Sequence, residues 1–385
     1  MTDTWAGRFP PNEIISLLNV NRRYNLAEST SQNLSFEELL DFVGPNAVRN
    51  ICLGYGDSQG LEFLRQIVGQ MMNIPAEHVI STQGTALGLY LLAVELCRPG
   101  DDVVIFTPCF PPSRDSLVGS GVNLRQVPLE FDDGYQIDLE YFAACLTENT
   151  RLVSIATPQN PSGVTVSQET IEAMLELMLR VSPYAYLFID ETYREATYGE
   201  AKVPASFAGL HPRIITAASV SKAYGAPGLR VGWLTVEDEE LRQRLITAKM
   251  NIVISGSPLN ENLAALLLEQ RAQILTSRKT LLKQGLSIVA EWTRIHEEYL
   301  DWVRPDGGAL CCMRLKESQF DSESLTRFWK GLADRELQLA DGHWFGECGR
   351  VFRLGFGYLS LNTLAEALDL LGDALKDFSA AKEPL

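Results

Sequence analysis

At 385 residues and 42.8 kDa the chain is longer than one usual hydrophobic core, so two domains, or one large and one small, are expected. Its composition, 46% hydrophobic and 21% charged, is that of a globular protein, and a net charge of -16 argues against nucleic acid and membrane surfaces as partners. That charge is a property of the whole surface and leaves room for a locally positive pocket.

Seven cysteines, an odd number without Cys-x-x-Cys spacing, fit reduced thiols in a cytoplasmic protein and not a disulfide frame or a zinc site. The four histidines (His78, His211, His296, His343) are scattered, so no histidine metal site is expected. The first residues lack the apolar centre of a signal peptide, and no apolar run approaches the length of a membrane span.

In chain order, β-rich runs at 103–106, 122–127, 152–156, 186–189, 214–218 and 231–236 alternate with amphipathic helical patterns at 86–96, 139–146 and 169–179. Strands alternating with helices at this spacing predict a mostly parallel central sheet covered by helices on both faces, an α/β fold. After 237 the pattern changes to long helices, 238–251 and 259–297, followed by strands at 309–314 and 351–356 and helices near 322–335 and 361–378. The expected division is a large domain from 46–285 and a smaller α+β domain from 1–45 with 286–385.

The chemistry concentrates at 219–232, which reads Ser-Val-Ser-Lys-Ala-Tyr-Gly-Ala-Pro-Gly-Leu-Arg-Val-Gly. Lys222 lies just past an apolar strand, between the hydroxyls of Ser219 and Ser221 and the guanidinium of Arg230. An amine that forms an imine with a phosphorylated aldehyde needs such hydroxyls and a guanidinium to hold the phosphate dianion. Asp190 ends another apolar strand, where ligands of open α/β sheets gather, and there it would either pair with a pyridinium nitrogen or cap the following segment. Tyr193 follows three residues later. Asn160, in Gln-Asn-Pro-Ser-Gly, sits after a further strand, in a loop that a turn alone would also explain. Gly84 and Thr85 open a helix, and its free N–H groups suit a phosphate. Phe110 follows the strand ending at Thr107 and would either stack on an aromatic ring or belong to the core.

Taken together, these strand ends resemble the pyridoxal-phosphate enzymes of the aspartate aminotransferase superfamily, class I/II, fold type I. The resemblance runs from about Tyr55 to Arg353. It rests on Ser-x-Ser-Lys with Gly-Leu-Arg-x-Gly, on Asn-Pro-x-Gly and on Asp-x-x-Tyr. It implies that Lys222 is the internal-aldimine lysine and the base that moves the Cα proton. It further implies that Asp190 pairs with the pyridinium, that Asn160 and Tyr193 bond the ring oxygen, and that Phe110 stacks on the ring. Gly84, Thr85, Ser219, Ser221 and Arg230 would form the phosphate cup. Arg353 would grip the substrate carboxylate together with Asn160, and Tyr55 would reach the phosphate of a neighbouring subunit, making the protein a homodimer.

Such an enzyme acts on an L-α-amino acid through an external aldimine, with transamination as the default outcome. The segment 24–39 places Glu28 and Ser29 where relatives carry an apolar, glycine-rich strip, which would either be a solvated loop or favour a cationic substrate side chain. That segment and the lysine region resemble capreomycidine synthase-like cyclases, which eliminate a hydroxyl from a hydroxylated arginine and close a cyclic guanidine. A non-catalytic sensor domain is the remaining alternative; the acidic charge and the matched catalytic residues weigh against it.

Overall fold

The computed structural model describes residues 7–19 and 22–380. After a two-residue strand, β1 (Tyr24–Asn25), the chain builds a seven-stranded sheet. Its members are β2 (Val79–Thr82), β3 (Asp102–Thr107), β4 (Asn123–Pro128), β5 (Thr150–Ala156), β6 (Tyr186–Asp190), β7 (Ile214–Ser219) and β8 (Gly232–Thr235). Their order is β2-β8-β7-β6-β5-β3-β4. The β7-β6-β5-β3-β4 run is parallel, while β8 lies antiparallel to both neighbours.

The central strands form in nearly continuous apolar runs because both faces are covered. Successive residues face opposite sides of the sheet. Val103, Leu152 and Phe188 therefore pack with Leu89 and Leu92 of the helix Thr85–Leu96. Val104, Val153 and Leu187 pack with Ile171, Met174 and Met178 of the helix Gln168–Val181. That helix starts where the side chain of Ser167 accepts the N–H of Thr170.

The remaining strands are β9 (Leu300–Val303), β10 (Leu310–Leu315), β11 (Leu337–Gln338), β12 (Ala340–Asp341) and β13 (Val351–Gly355). An antiparallel sheet runs β12-β13-β10-β9, and β11 pairs in parallel with β1, bringing the N-terminal segment to this part of the molecule. The fold is thus the expected mostly parallel, helix-covered sheet with a smaller α+β part. The helix predicted over 259–297 is two helices, Pro258–Glu269 and Arg271–Ile295, because Gln270 leaves helical geometry at φ -92°, ψ 11°. The second of these passes through 285 unbroken, so the division we propose there falls within a helix. Among the described residues no helix is long and apolar enough to cross a membrane.

A buried polar knot ties the edge strand β2 to the following helices. Lys249, fully buried, donates to Ser81 Oγ at 3.0 Å; Ser81 donates to Glu261 Oε1 at 2.5 Å, and Glu261 Oε2 accepts the N–H of Leu61 at 2.7 Å. Burial pushes the Lys249 amine down to about 8 from 10.5, against the pull of Glu261 and Asp57. Between these pH values the unfolded chain holds the Lys249 proton more tightly than the folded one. The Lys249 contribution to stability should therefore rise from about pH 8 to 10.5. Urea unfolding across that range should show this slope in the parent protein and lose it in Lys249→Met; identical slopes in both would refute the assignment.

Candidate active site

Parallel order places the carboxyl ends of β3, β5, β6 and β7 side by side, and the site forms along this edge. Thr85, Phe110, Asn160, Asp190, Tyr193 and Lys222 all line one cavity there. Asp190 is the last residue of β6. Its Oδ1 accepts from both the amide (2.9 Å) and the hydroxyl (2.5 Å) of Thr192. Burial raises the Asp190 carboxyl above its ordinary range, opposed by those two hydrogen bonds and by the charge of Lys222. A protonated ring nitrogen beside it would supply a closer counter-charge.

Lys222 follows β7 and is partly buried. Its Nζ lies 3.2 Å from Ser29 Oγ and 3.7 Å from Glu28 Oε1. Ser29 Oγ in turn lies 2.9 Å from the hydroxyl of Tyr193, which also receives Asn160 Nδ2 at 3.5 Å. Asn160 Oδ1 accepts from Arg353 Nη1 at 2.7 Å. One polar chain therefore runs Lys222–Ser29–Tyr193–Asn160–Arg353.

Arg353 stands in β13 opposite Cys312 and Ala340, and is 2% exposed. Its Nη2 donates to Ala27 O at 2.6 Å, and its guanidinium sits 4.8 Å from the centre of the Phe345 ring. Burial pushes the guanidinium below its ordinary value, opposed by Tyr193 and Glu28. Its Nε has no hydrogen-bond partner. A buried guanidinium edge of this kind suits a carboxylate.

The N-terminal segment is pinned to the lysine turn. The Ser31 N–H donates to Lys222 O at 3.1 Å, Leu34 N–H to Gly225 O at 2.7 Å, and Gly355 N–H to Leu26 O at 2.7 Å. Gly225 takes φ +67°, and a Cβ there would collide with Gln32 O, so glycine is required for this close approach.

The phosphate-cup candidates also converge. Gly84, at φ +77°, precedes the helix Thr85–Leu96, whose first amides have no side-chain cap. A Cβ on Gly84 would lie 2.6 Å from Arg230 Nη2, and one on Gly232 would lie 3.1 Å from Gly84 Cα. Gly232 pairs with Ser219, whose Oγ accepts the Ser221 N–H at 3.3 Å. The uncapped helix amides, Gly84 and the Arg230 guanidinium thus lie together, with Ser219 one strand away, the donor types that a phosphate requires.

Tyr55 is not brought to this site within one chain; it is 87% exposed. Thr192 and Phe345 are the residues that sequence reasoning missed. Thr192 had a signal, since a hydroxyl two residues after a strand-end aspartate is the spacing of a local side-chain turn. Phe345 had none, because its place under Arg353 comes from a distant segment.

The family model for aminotransferase class I and II matches residues 27–371. The chain belongs to that family. Its cofactor is pyridoxal 5'-phosphate, and the donors described above fit it. The chain is 31% identical over 337 residues to capreomycidine synthase from Streptomyces vinaceus, covering 86% of this chain and 85% of that one. It is 27% identical over 300 residues to arginine–pyruvate transaminase AruH from Pseudomonas aeruginosa, covering 76% and 75%. Among solved structures, a PLP-dependent aminotransferase from Streptococcus suis superposes with a TM-score of 0.87 at 23% identity, covering 97% of this chain and 100% of that one.

Borohydride treatment of the protein loaded with pyridoxal phosphate should fix one cofactor mass on the peptide containing Lys222, and Lys222→Ala should carry none. Labelling of another lysine would overturn the assignment. Asp190→Asn should weaken cofactor binding about 10- to 100-fold, the worth of one charge-assisted hydrogen bond, by titration of bound-cofactor absorbance. An unchanged affinity would remove Asp190 from contact with the ring.

Proposed function

We propose that the protein is an aminotransferase whose L-α-amino acid substrate carries a cationic, guanidinium-type side chain. The observation that carries this reading is the Glu28 carboxylate 3.7 Å from Lys222 Nζ, on a segment pinned to the lysine turn. A carboxylate at the reacting amine attracts a cationic substrate and disfavours an acidic one. Two relatives, capreomycidine synthase and an arginine–pyruvate transaminase, match over most of the chain, and the arginine in the second name supports a basic substrate.

Bound pyridoxal phosphate supplies an aldehyde and an electron-withdrawing ring that make the Cα proton of an amino acid acidic. The protein's own residues do the rest. Gly84, Thr85, Ser219, Ser221 and Arg230 would hold the phosphate, and Phe110 would stack on the ring. Asp190 would pair with the ring nitrogen and keep it protonated, while Asn160 and Tyr193 would bond the ring oxygen. Arg353 takes the substrate carboxylate through its free edge, with Asn160 orienting the guanidinium. That grip turns the Cα–H bond toward Lys222, whose amine removes the proton and returns one.

A second copy completes the site through Tyr55. Ser58 donates to Ile254 O at 2.8 Å, joining the segment of Tyr55 to the end of the helix Glu239–Val253. The exposed side chains of Tyr55, Met250, Ile252 and Ile254 therefore lie on neighbouring segments, an apolar edge suited to a homodimer.

The second reading is elimination and cyclisation of a hydroxylated arginine, favoured by the 31% identity with capreomycidine synthase and by the polar Glu28–Ser29 pair. Incubation with a panel of amino acids, arginine and hydroxylated arginines, followed by mass spectrometry, separates the two. A keto acid with aminated cofactor is the transamination outcome; loss of water with the amine retained is the cyclisation outcome. Glu28→Gln should raise KM for the basic substrate about tenfold more than for neutral amino acids, whatever it does to turnover of both through its contact with Lys222. Unchanged selectivity would dismiss the cationic substrate.

A further inference from the structure

We propose that Ser29 is a positioning residue that aims both Lys222 and the hydroxyl proton of Tyr193 into the cofactor pocket. The inference rests on the cofactor site described above and adds a role for a residue outside its phosphate and ring contacts. Ser29 is 2% exposed, so its hydroxyl answers to the protein and not to water. Its Oγ lies 3.2 Å from Lys222 Nζ and 2.9 Å from the Tyr193 hydroxyl.

Hydrogen-bond direction follows from what each partner can do. In this structure Lys222 is a free ammonium, which donates and never accepts, so the Ser29 oxygen accepts from Lys222 and its single proton goes to Tyr193. In the cofactor-loaded protein the Ser29–Tyr193 bond is the one that the test reads. Asn160 Oδ1 is taken by Arg353 Nη1 at 2.7 Å, which turns the Asn160 amide nitrogen toward Tyr193 at 3.5 Å. The Tyr193 oxygen then accepts from both Ser29 and Asn160. Its own proton has neither as an acceptor and points into the cavity that Tyr193, Asp190 and Lys222 line.

The same hydroxyl limits the motion of Lys222. A lysine side chain has many rotamers, and fixing one costs entropy that must be offset by bonds at its end. Ser29 Oγ and the Glu28 carboxylate hold that end, and the Ser29 amide donates to Glu28 Oε1 at 2.8 Å, so both contacts come from one rigid corner. The Ser31 N–H bond to Lys222 O keeps that corner over the lysine's own backbone. Ser29→Ala would release the lysine end and leave the Tyr193 proton undirected without opening a large void.

The test reads the pyridoxal-phosphate-loaded protein without substrate, so it stands apart from the substrate proposed above. In wild type, Ser29→Ala, Tyr193→Phe and the double variant, the bound-cofactor absorbance is titrated against pH. Ser29→Ala should shift the midpoint by about half to one pH unit, the size of one lost hydrogen bond, with cofactor affinity within about threefold of wild type. Adding Ser29→Ala to Tyr193→Phe should shift it by clearly less than in the wild-type background, because the shared bond is already gone. With substrate, kcat should fall about 10- to 100-fold while KM changes less than about threefold. A midpoint and kcat within twofold of wild type, or full additivity with Tyr193→Phe, would overturn the proposal.

Discussion

The positive charge of Arg353, buried in the middle of a small antiparallel sheet, is the constraint on which the rest of the site depends. A guanidinium at 2% exposure is costly to leave unpartnered, and each hydrogen bond it makes is worth about 1.5–3 kcal/mol because the donor is charged. Its partners come from two far segments: Asn160 after β5 and Ala27 after β1. Satisfying this one side chain thus joins the small sheet, the large sheet and the N-terminal segment. It also orients Asn160, and through Asn160 the whole polar chain to Lys222.

The order of that chain explains why side chains from distant positions act together. Tyr193 is set by the turn after β6, Asn160 by the loop after β5, and Lys222 by the turn after β7, each at the same edge of one parallel sheet. Parallel pairing fixes their relative height, since β5, β6 and β7 are in register from Ala156 through Asp190 to Ala217. The strand ends carry the groups we assign to the cofactor. The irregular N-terminal segment carries Glu28 and Ser29, which touch the lysine directly.

This division also decides what the sequence could reveal. Lys222, Asp190 and Asn160 were legible because each follows a short apolar run that can only be a covered strand, and the end of such a strand is where ligands bind. The long helices were legible in extent but not in continuity: nothing in the pattern at Gln270 marks the break, because it comes from backbone torsion and not from a proline or glycine. Thr192 was legible in spacing, two residues after Asp190, but only the burial of that carboxylate shows why the contact matters. Ser29 meets Lys222 across 193 positions through a segment with no periodicity, so its side-chain direction is fixed only by tertiary hydrogen bonds such as Leu34 to Gly225.

The electrostatics of the lysine end carry the synthesis one step further. Glu28 balances Lys222 at 3.7 Å, yet in the proposed role Lys222 must be neutral before it can take a proton from Cα. While the lysine is neutral the carboxylate lacks its counter-charge in a partly buried pocket, where an unpaired charge is costly. Arg353 cannot help, because it bonds Asn160 and Ala27 and is assigned to the substrate carboxylate in the proposed reading. A substrate that brings its own cation to Glu28 would offset this cost while the lysine is neutral, before the proton moves. Lys222 would then take the Cα proton and, once protonated, either return it or give it to a departing hydroxyl. The corner at Glu28 and Ser29 is therefore where chemistry shared across the family would be directed to one outcome.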